Sequence, residues 1–337
     1  MHEELGSPID LVVLTSKLSD WNRFNTRYGG LFEELHLRDI TVAVAQTKES
    51  YLGNGVFGNT IMPLMPLLGS IEGYLEEGNV RPKVVRDLNM PKEVVPLYID
   101  ENAPKIIQDP SINLLLKSKS NVYDLMSDLQ PRSIGHVVAN EVEEAVSEIS
   151  GSMIVIKPDT GSGGDGVLIG DKKTVVEAYR LQEKVGLYIV QEAIDMTKGL
   201  EEHHIKGVHN IRFIVIGGAA IFGFVRNVDS DSLTMQGETF TNRTFLRPEG
   251  FSDNIQDVLQ RSQDKFKTVP FSHDTVLAFD VIRGINSDNE QREYLLEVNR
   301  RPERNSPYDG RNTNTLWASH AWDSAEAEML HGALTSL

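Results

Sequence analysis

The sequence predicts an α/β fold class: an open α/β N-terminal domain followed by two α+β subdomains. Three observations predict it. Short β-branched apolar runs alternate with helical stretches in the first third of the chain. Further on, apolar runs come in pairs separated by turn residues, as in hairpins. A glycine-rich stretch then lies between two strand-like runs rather than at the start of a helix.

The runs at residues 9–15 (IDLVVLT) and 39–47 (DITVAVAQT) read as strands, with a helical stretch between them over residues 20–37. The segment MPLMPLLGSIEGYLEEG, residues 62–78, has helical spacing after its prolines. The first domain is expected to end at PKIIQDP, giving divisions at residues 1–108, 109–190 and 191–337. NLLLKSKSNVYDLMSDL reads as one helix, stopped by Pro131. SMIVIK and GVLIGD read as strands, KTVVEAYRLQEKVG as an amphipathic helix closed by Gly186, and LYIVQEAI as a strand. NIRFIVIGGAAIFGFVRNV is a hairpin turning at Gly217 and Gly218. TVLAFDVIRG and EYLLEVNRR pair across INSDNEQ, and TNTLWASHAWDSAEAEML closes the chain as a helix.

With 337 residues the chain is long enough for two or three compact units. It has no cysteine, which excludes disulfides, thiolate catalysis and cysteine-bound metal. The formal charge of −16 disfavours nucleic acid and anionic membrane surfaces, though a local basic pocket remains compatible with it. No apolar run has the length of a membrane helix. A cytoplasmic setting is expected, and a homodimer is compatible with the composition.

IKPDTGSGGDGV, residues 156–167, carries the first chemical signal. It matches G-x-G-x-x-G, but a dinucleotide fold needs a helix after the loop, and here VLIGD follows. A P-loop would end in Gly-Lys-Ser/Thr, and a protein kinase would place its lysine after the loop. What remains is a strand ending in Lys157, a loop over Gly161, Ser162, Gly163, Gly164 and Gly166, and a second strand. Backbone N–H groups free of Cβ atoms can close on phosphate oxygens, with Lys157 reaching the phosphates. Taken alone, the segment also reads as a surface hairpin with an incidental lysine.

The second signal is FDVI followed by YLLEVNRRP. Strand alternation sends Glu297 and Asn299 to one face, and Asp280 on the partner strand can join them. Two carboxylates and an amide are hard oxygen ligands suited to Mg²⁺ or Mn²⁺.

These residues, in this order, resemble the ATP-grasp superfamily, most of all its carboxylate–amine ligases of the glutathione synthetase and ribosomal-protein glutamate ligase type. The resemblance covers roughly residues 109–304. It implies that Lys119 (with Lys117 as a rival) and Lys157 are the nucleotide lysines, and that Gly161 to Gly166 form the lid over the phosphates. It implies that Gln191, Glu192 and Ala193 read adenine, with Ile194 closing the apolar slot. It places Asn210 and Arg212 on the family's Asp-Ile-Arg strand, Arg226 near the reacting phosphate, and Asp280, Glu297 and Asn299 around the metal. The sequence departs from the family at Asn210, which replaces a carboxylate. A long insertion before it leaves Glu201 and Glu202 open as ribose ligands. Asn242 aligns only loosely with a polar residue near the metal site. Arg300 and Arg301 stand where small residues are usual; they hold an anionic substrate or solvate the strand end.

The function implied is an ATP- and Mg²⁺-dependent ligase that joins a small-molecule carboxylate to an amine, on an amino acid or peptide, through an acyl phosphate. A small-molecule kinase of the same fold and a non-catalytic nucleotide-binding regulator are the alternatives.

Overall fold

The computed structural model describes residues 7–15, 21–45, 50–64, 73–88, 100–107, 110–161, 164–182, 186–227, 242–270, 272–300 and 315–337. By packing, the chain forms two compact units. One gathers residues 1–113, 271–276 and 303–337, and the other gathers residues 114–270 and 277–302.

The first unit contains β1 (Ser7–Leu14), α1 (Trp21–His36), β2 (Val42–Ala45), β3 (Tyr51–Gly53), β4 (Val56–Phe57), β5 (Thr60–Leu64), β6 (Gly73–Glu77), β7 (Val80–Asp87) and β8 (Lys105–Ile107). β1 lies centrally and runs parallel to both β2 and β7. Its Leu11 and Val13 join a core with Leu31, Phe32 and Leu35 of α1, while Val12 and Leu14 join a second core on the other face. A strand buried on both faces explains the unbroken apolar run in this part of the sequence.

In the segment 62–78, where helical spacing follows the prolines, the described residues form strands, and residues 65–72 lie outside the described residues. β5 and β6 occupy its ends as an antiparallel pair, with Met62 opposite Leu75, and β5 also pairs β2. Helical spacing in a short apolar segment is weak evidence. Two prolines, three glycines and an available sheet edge outweigh it.

At the start of the second unit, α2 (Pro110–Lys117), which begins in the first unit, and α3 (Lys119–Met126) stand where the sequence predicted one helix. Ser118 is the reason. Its backbone is extended, and its hydroxyl accepts from Asn121 N at 3.1 Å, so it caps a new helix. β9 (Ser133–Val138), α4 (Val142–Glu148), β10 (Met153–Pro158), β11 (Leu168–Asp171), α5 (Lys172–Leu181) and β12 (Leu187–Glu192) follow. The four strands form an antiparallel sheet in the order β11-β10-β12-β9. Ile154, Ile156, Tyr188 and Val190 pack with Val146 of α4 and with Val175 and Tyr179 of α5. Alternation then turns Val155, Lys157, Ile189 and Gln191 to the face without these helices.

β13 (His209–Ile216), β14 (Ala219–Asn227), β15 (Asn242–Leu246), α6 (Asp253–Lys267), β16 (Val276–Ile285) and β17 (Gln291–Asn299) build a second sheet, ordered β15-β14-β13-β16-β17. The β13–β14 turn places Gly217 and Gly218 at φ of 59° and 80°, as a tight hairpin requires. Phe213 of β13 meets Phe251 at 4.9 Å, and Phe279 of β16 meets Phe266 of α6 at 6.2 Å. A Cβ on Gly223 would come within 2.8 Å of both Phe213 and Phe251, so glycine makes room for this aromatic contact. With the odd-numbered residues of β13 and β16 spent on that core, Asn210, Arg212 and Asp280 project from the opposite face. The chain ends in α7 (Thr315–Thr335), whose Ala327 and Leu330 pack in the first unit. Glu326 forms a buried ion pair there with Arg86 at 2.9 Å.

Candidate active site

Every site residue described below lies in the second unit. β10 carries Lys157 on its helix-free face, and α3 begins at Lys119 beside the end of that strand. Asp159 holds the two together: its backbone carbonyl accepts from Lys119 N at 2.9 Å, and its carboxylate accepts from Ser120 N at 2.7 Å. The Lys119 ammonium donates to the carbonyls of Pro158 (2.9 Å) and Gly161 (3.2 Å), at the root of the glycine loop. Lys117, the rival for this role, is exposed at the end of α2. Gly161, Gly164 and Gly166 have φ of 122°, 80° and 72°, conformations that L side chains rarely adopt. The loop joins antiparallel β10 and β11, with Ile156 opposite Leu168. Ser162 and Gly163 lie outside the described residues.

The Lys157 ammonium donates to Gln191 Oε1 at 2.8 Å. Burial pulls its pKa down to about 8, the Glu297 carboxylate opposes that shift, and Lys119 adds to it. Burial also lowers the pKa of Lys119, again opposed by Glu297. Glu297 thus acts electrostatically on both lysines.

β16 and β17 pair with Asp280 opposite Glu297 and Ala278 opposite Asn299. The face predicted from strand alternation is therefore assembled as expected. Asn299 Nδ2 donates to Glu297 Oε1 (2.7 Å) and Asp280 Oδ2 (2.9 Å). Asp280 is 1% exposed and takes a two-point contact from Arg212, at 2.7 and 2.6 Å, with Arg226 Nη2 at 3.2 Å. Burial alone would raise the pKa of Asp280. Arg212 and then Arg226 overcome that and hold it below the ordinary carboxylate value. Glu297 goes the other way, raised by burial and then by the Asp280 charge. Two neighbouring carboxylates with opposite shifts differ in which cations face them. Asn210 accepts from Arg226 Nη2 at 2.8 Å, so the amide in the acidic position of the strand orients this arginine without adding charge.

The donor set fits a hard divalent cation: two carboxylates face one another across a strand pair, and an exchange of the Asn299 amide ends would add a third oxygen. Among the described residues no group of three or more His, Cys, Asp and Glu side chains is placed to hold a metal ion. Four cations, Lys119, Lys157, Arg212 and Arg226, are gathered with two carboxylates in a chain whose net charge is −16. The arrangement suits a polyanion.

The hinge strand runs as predicted through Gln191 and Glu192. Its side chains, however, have partners within the protein. Glu192 accepts from Arg132 N at 2.9 Å and from the Ser287 hydroxyl at 2.8 Å, and Ala193 N donates to Met153 O at 3.1 Å. These bonds tie the β16–β17 turn to the four-stranded sheet. Ile194 packs so closely on Gly284 that a Cβ there would meet its Cγ2 at 2.4 Å. Of the two glutamates left open, Glu202 pairs with Arg283 at 2.6 Å, and Glu201 is exposed. Arg300 is half-buried and its pKa is lowered by burial, Arg301 lies outside the described residues, and Asn242 opens β15 opposite Asn227.

Sequence reasoning missed Arg283, Ser133 and Tyr123. Arg283 also binds Glu293 at 2.7 Å, on the sheet face opposite Asp280. None of the three sits in a motif: strand register sets Arg283 opposite Glu293 and Ser133 opposite Gln191, and Tyr123 meets Ser133 N from α3.

The Lys157 shift has a measurable consequence. If a phosphate ligand is held by the charged lysine, its affinity should be full below about pH 8 and fall as pH rises through that value. Isothermal titration from pH 6.5 to 9.5 should show this inflection, and Lys157→Arg should remove it. A flat wild-type profile would assign the phosphate contact elsewhere.

No protein-family model and no curated protein matches this sequence. Solved structures do match over nearly the whole chain. The D-Ala:D-Ser ligase VanG from Enterococcus faecalis is 15% identical, with a TM-score of 0.60 over 98% of this chain and 99% of its own. The D-cycloserine synthetase DcsG is 14% identical, with a TM-score of 0.58 over 95% and 99%. The ATP-grasp ligase PsnB, complexed with a minimal precursor, is 15% identical, with a TM-score of 0.54 over 96% and 99%. At these identities the likeness shows the fold, and the fold is that of the ATP-grasp ligases.

Proposed function

We propose that this chain, with its ATP-grasp fold, is an ATP- and Mg²⁺-dependent carboxylate–amine ligase that forms an amide through an acyl phosphate and releases ADP and phosphate. One observation carries the reading. The lysines at the glycine loop and the Asp280–Glu297–Asn299 face share one electrostatic neighbourhood through Glu297. A site that only held a nucleotide has no need of paired carboxylates opposite its phosphate lysines.

Lys157 and Lys119 hold the nucleotide phosphates under the loop that runs from Gly161 to Gly166. Asp280, Glu297 and Asn299 would hold Mg²⁺, which would supply charge neutralisation on phosphate oxygens. The substrate carboxylate attacks the γ-phosphorus, and ADP leaves. Arg226 and Arg212, fixed by Asp280 and Asn210, face the charge that develops on the transferring group. The amine then attacks the acyl carbon and expels phosphate. No protein nucleophile takes part, in keeping with a chain that lacks cysteine. The substrates belong to the amino acid or peptide class, and the setting is the cytoplasm.

The test begins with a screen of amino acids and short peptides for ADP release. With the active carboxylate labelled with oxygen-18, one label should appear in inorganic phosphate. Label in AMP would mean an acyl-adenylate route. A phosphorylated substrate that accumulates in the presence of amines would make the protein a kinase.

A further inference from the structure

The segment between β12 and β13 folds back on itself and is fixed to β16. Leu200 and Ile205 bond each other in both directions, at 2.8 and 3.1 Å, around a short 3₁₀ turn, Glu201–His203, that His204 closes at φ 56°. Asp195 bonds Ile285 in both directions at 2.9 Å, and the Glu202 carboxylate accepts from Arg283 Nη1 at 2.6 Å. Each guanidinium nitrogen of Arg283 has an oxygen partner, since Nε donates to Glu293 at 2.7 Å and Nη2 to the Ser252 hydroxyl at 2.6 Å. Ser252 is the N-cap residue of α6, yet its side chain does not bond that helix and serves Arg283 instead. Two imidazoles are packed into this cluster. His209 is 0% exposed; its Nδ1 meets the Gly207 carbonyl at 3.0 Å, and its Nε2 faces Arg283 N at 3.4 Å. A carbonyl only accepts, so Nδ1 carries the proton and Nε2 accepts from Arg283 N–H, which fixes the ring as neutral. His203 and Phe251 meet edge to face at 5.3 Å, and the buried Nε2 of His203 has no hydrogen-bond partner among the described residues. A second proton on His209 would point at the Arg283 N–H, and a proton on His203 Nε2 would have no acceptor.

We propose that residues 195–208 form an acid-released latch on the five-stranded sheet, closed while His203 and His209 are neutral and opened when they take up protons. The latch lies apart from the phosphate and metal groups, because Arg283 and His209 project from the face opposite Asp280 and Asn210. Burial, the largest influence, lowers the pKa of both histidines below the ordinary 6.5. Glu202 opposes it at both rings and the Gly207 carbonyl opposes it at His209, while Arg283 reinforces it at both and His204 at His203. In the open segment both rings meet water and titrate near 6.5, so the open state binds more protons than the closed one below that value. The closed state is therefore fully favoured above 6.5 and loses ground as pH falls. Glu202 keeps its charge through this change. Burial pushes its pKa up, but hydrogen bonds from its own backbone and from Arg283 outweigh this and hold it below the ordinary glutamate value.

Hydrogen exchange read by mass spectrometry tests the latch on the whole chain, at about pH 7.5 and about pH 5.5, with rates corrected for the intrinsic pH dependence of exchange. Peptides that hold the Leu200 and Ile205 amides, bonded across the turn, report on the latch, and α6 is the internal reference. A histidine that titrates only in the open state raises the open population about tenfold over this interval. Protection at Leu200 and Ile205 should therefore fall by about tenfold for each histidine, up to about a hundredfold in the wild type, with α6 unchanged. His203→Phe keeps a ring against Phe251, and His209→Gln keeps an acceptor for Arg283 N. Each should reduce the pH effect to about tenfold, and the double variant should show almost none. Glu202→Gln should lower protection at both pH values and keep the pH effect. Equal protection at the two pH values in the wild type overturns the proposal. A parallel loss in α6 overturns it as well, because the whole unit would then be opening. An undiminished pH effect in the double variant overturns it by assigning the change to other groups. If a substituted chain does not fold, the wild-type comparison with α6 still decides.

Discussion

Asp280→Ala is expected to destabilise the second unit by about 3–5 kcal/mol, the cost of removing one partner from a buried ion pair. Asp280 is 1% exposed and receives Arg212 at two points, Arg226 at a third and the Asn299 amide at a fourth. Without it, two guanidinium groups that are themselves at most 16% exposed lose this carboxylate, with Glu297 still 3.9 Å from Arg212. For a domain of this size the midpoint of thermal unfolding should fall by on the order of 10 °C. Asp280→Asn keeps part of the hydrogen bonding and should fall less. Melting followed by circular dichroism tests both variants. An unchanged midpoint in Asp280→Ala would mean that the arginines find water or other partners at no cost, and that this network does not hold the site.

The second large effect is on activity. Glu297→Gln is expected to reduce ATP turnover about a hundredfold or more, the scale seen when one preorganised charge-stabilising group is removed. Here the fold should be spared. Burial and the neighbouring Asp280 raise the pKa of Glu297, so its proton is already held more tightly than in water. A neutral amide of the same shape therefore relieves a strained charge rather than stranding one. ADP release across a Mg²⁺ titration, beside a circular dichroism melt, separates the two consequences. Wild-type turnover at limiting Mg²⁺ in a folded variant would remove Glu297 from the metal set. The contrast between Asp280 and Glu297 is itself diagnostic. They lie opposite each other across the same strand pair, and both should lose chemistry as metal ligands, yet the Asp280 variant alone should also lose stability.

Much of the site was legible in the sequence because it depends on local rules. Parity along one strand places Glu297 and Asn299 together, whatever the rest of the chain does. Glycines around residue 164 demand a loop with positive φ, and three of them have it. The two-glycine turn at residues 217–218 and the polar turn before β17 announce their hairpins by composition.

Other features had no local signal. Residues 62–78 carry helical spacing, yet a sheet edge recruited both ends as strands. The helix over residues 113–129 broke at Ser118, a cap visible only as one serine among several polar residues. The contacts that define the chemistry join residues far apart in the chain: Arg212 with Asp280, Lys157 with Gln191, Gln191 with Ser133. Backbone preference and alternation act over a few residues, so the sequence by itself determined the strands, the loop and the face of the carboxylates. Which cation meets which carboxylate, which lysine reaches the loop and which way a buried amide points depend on strand register. Register is settled only when the sheets pack.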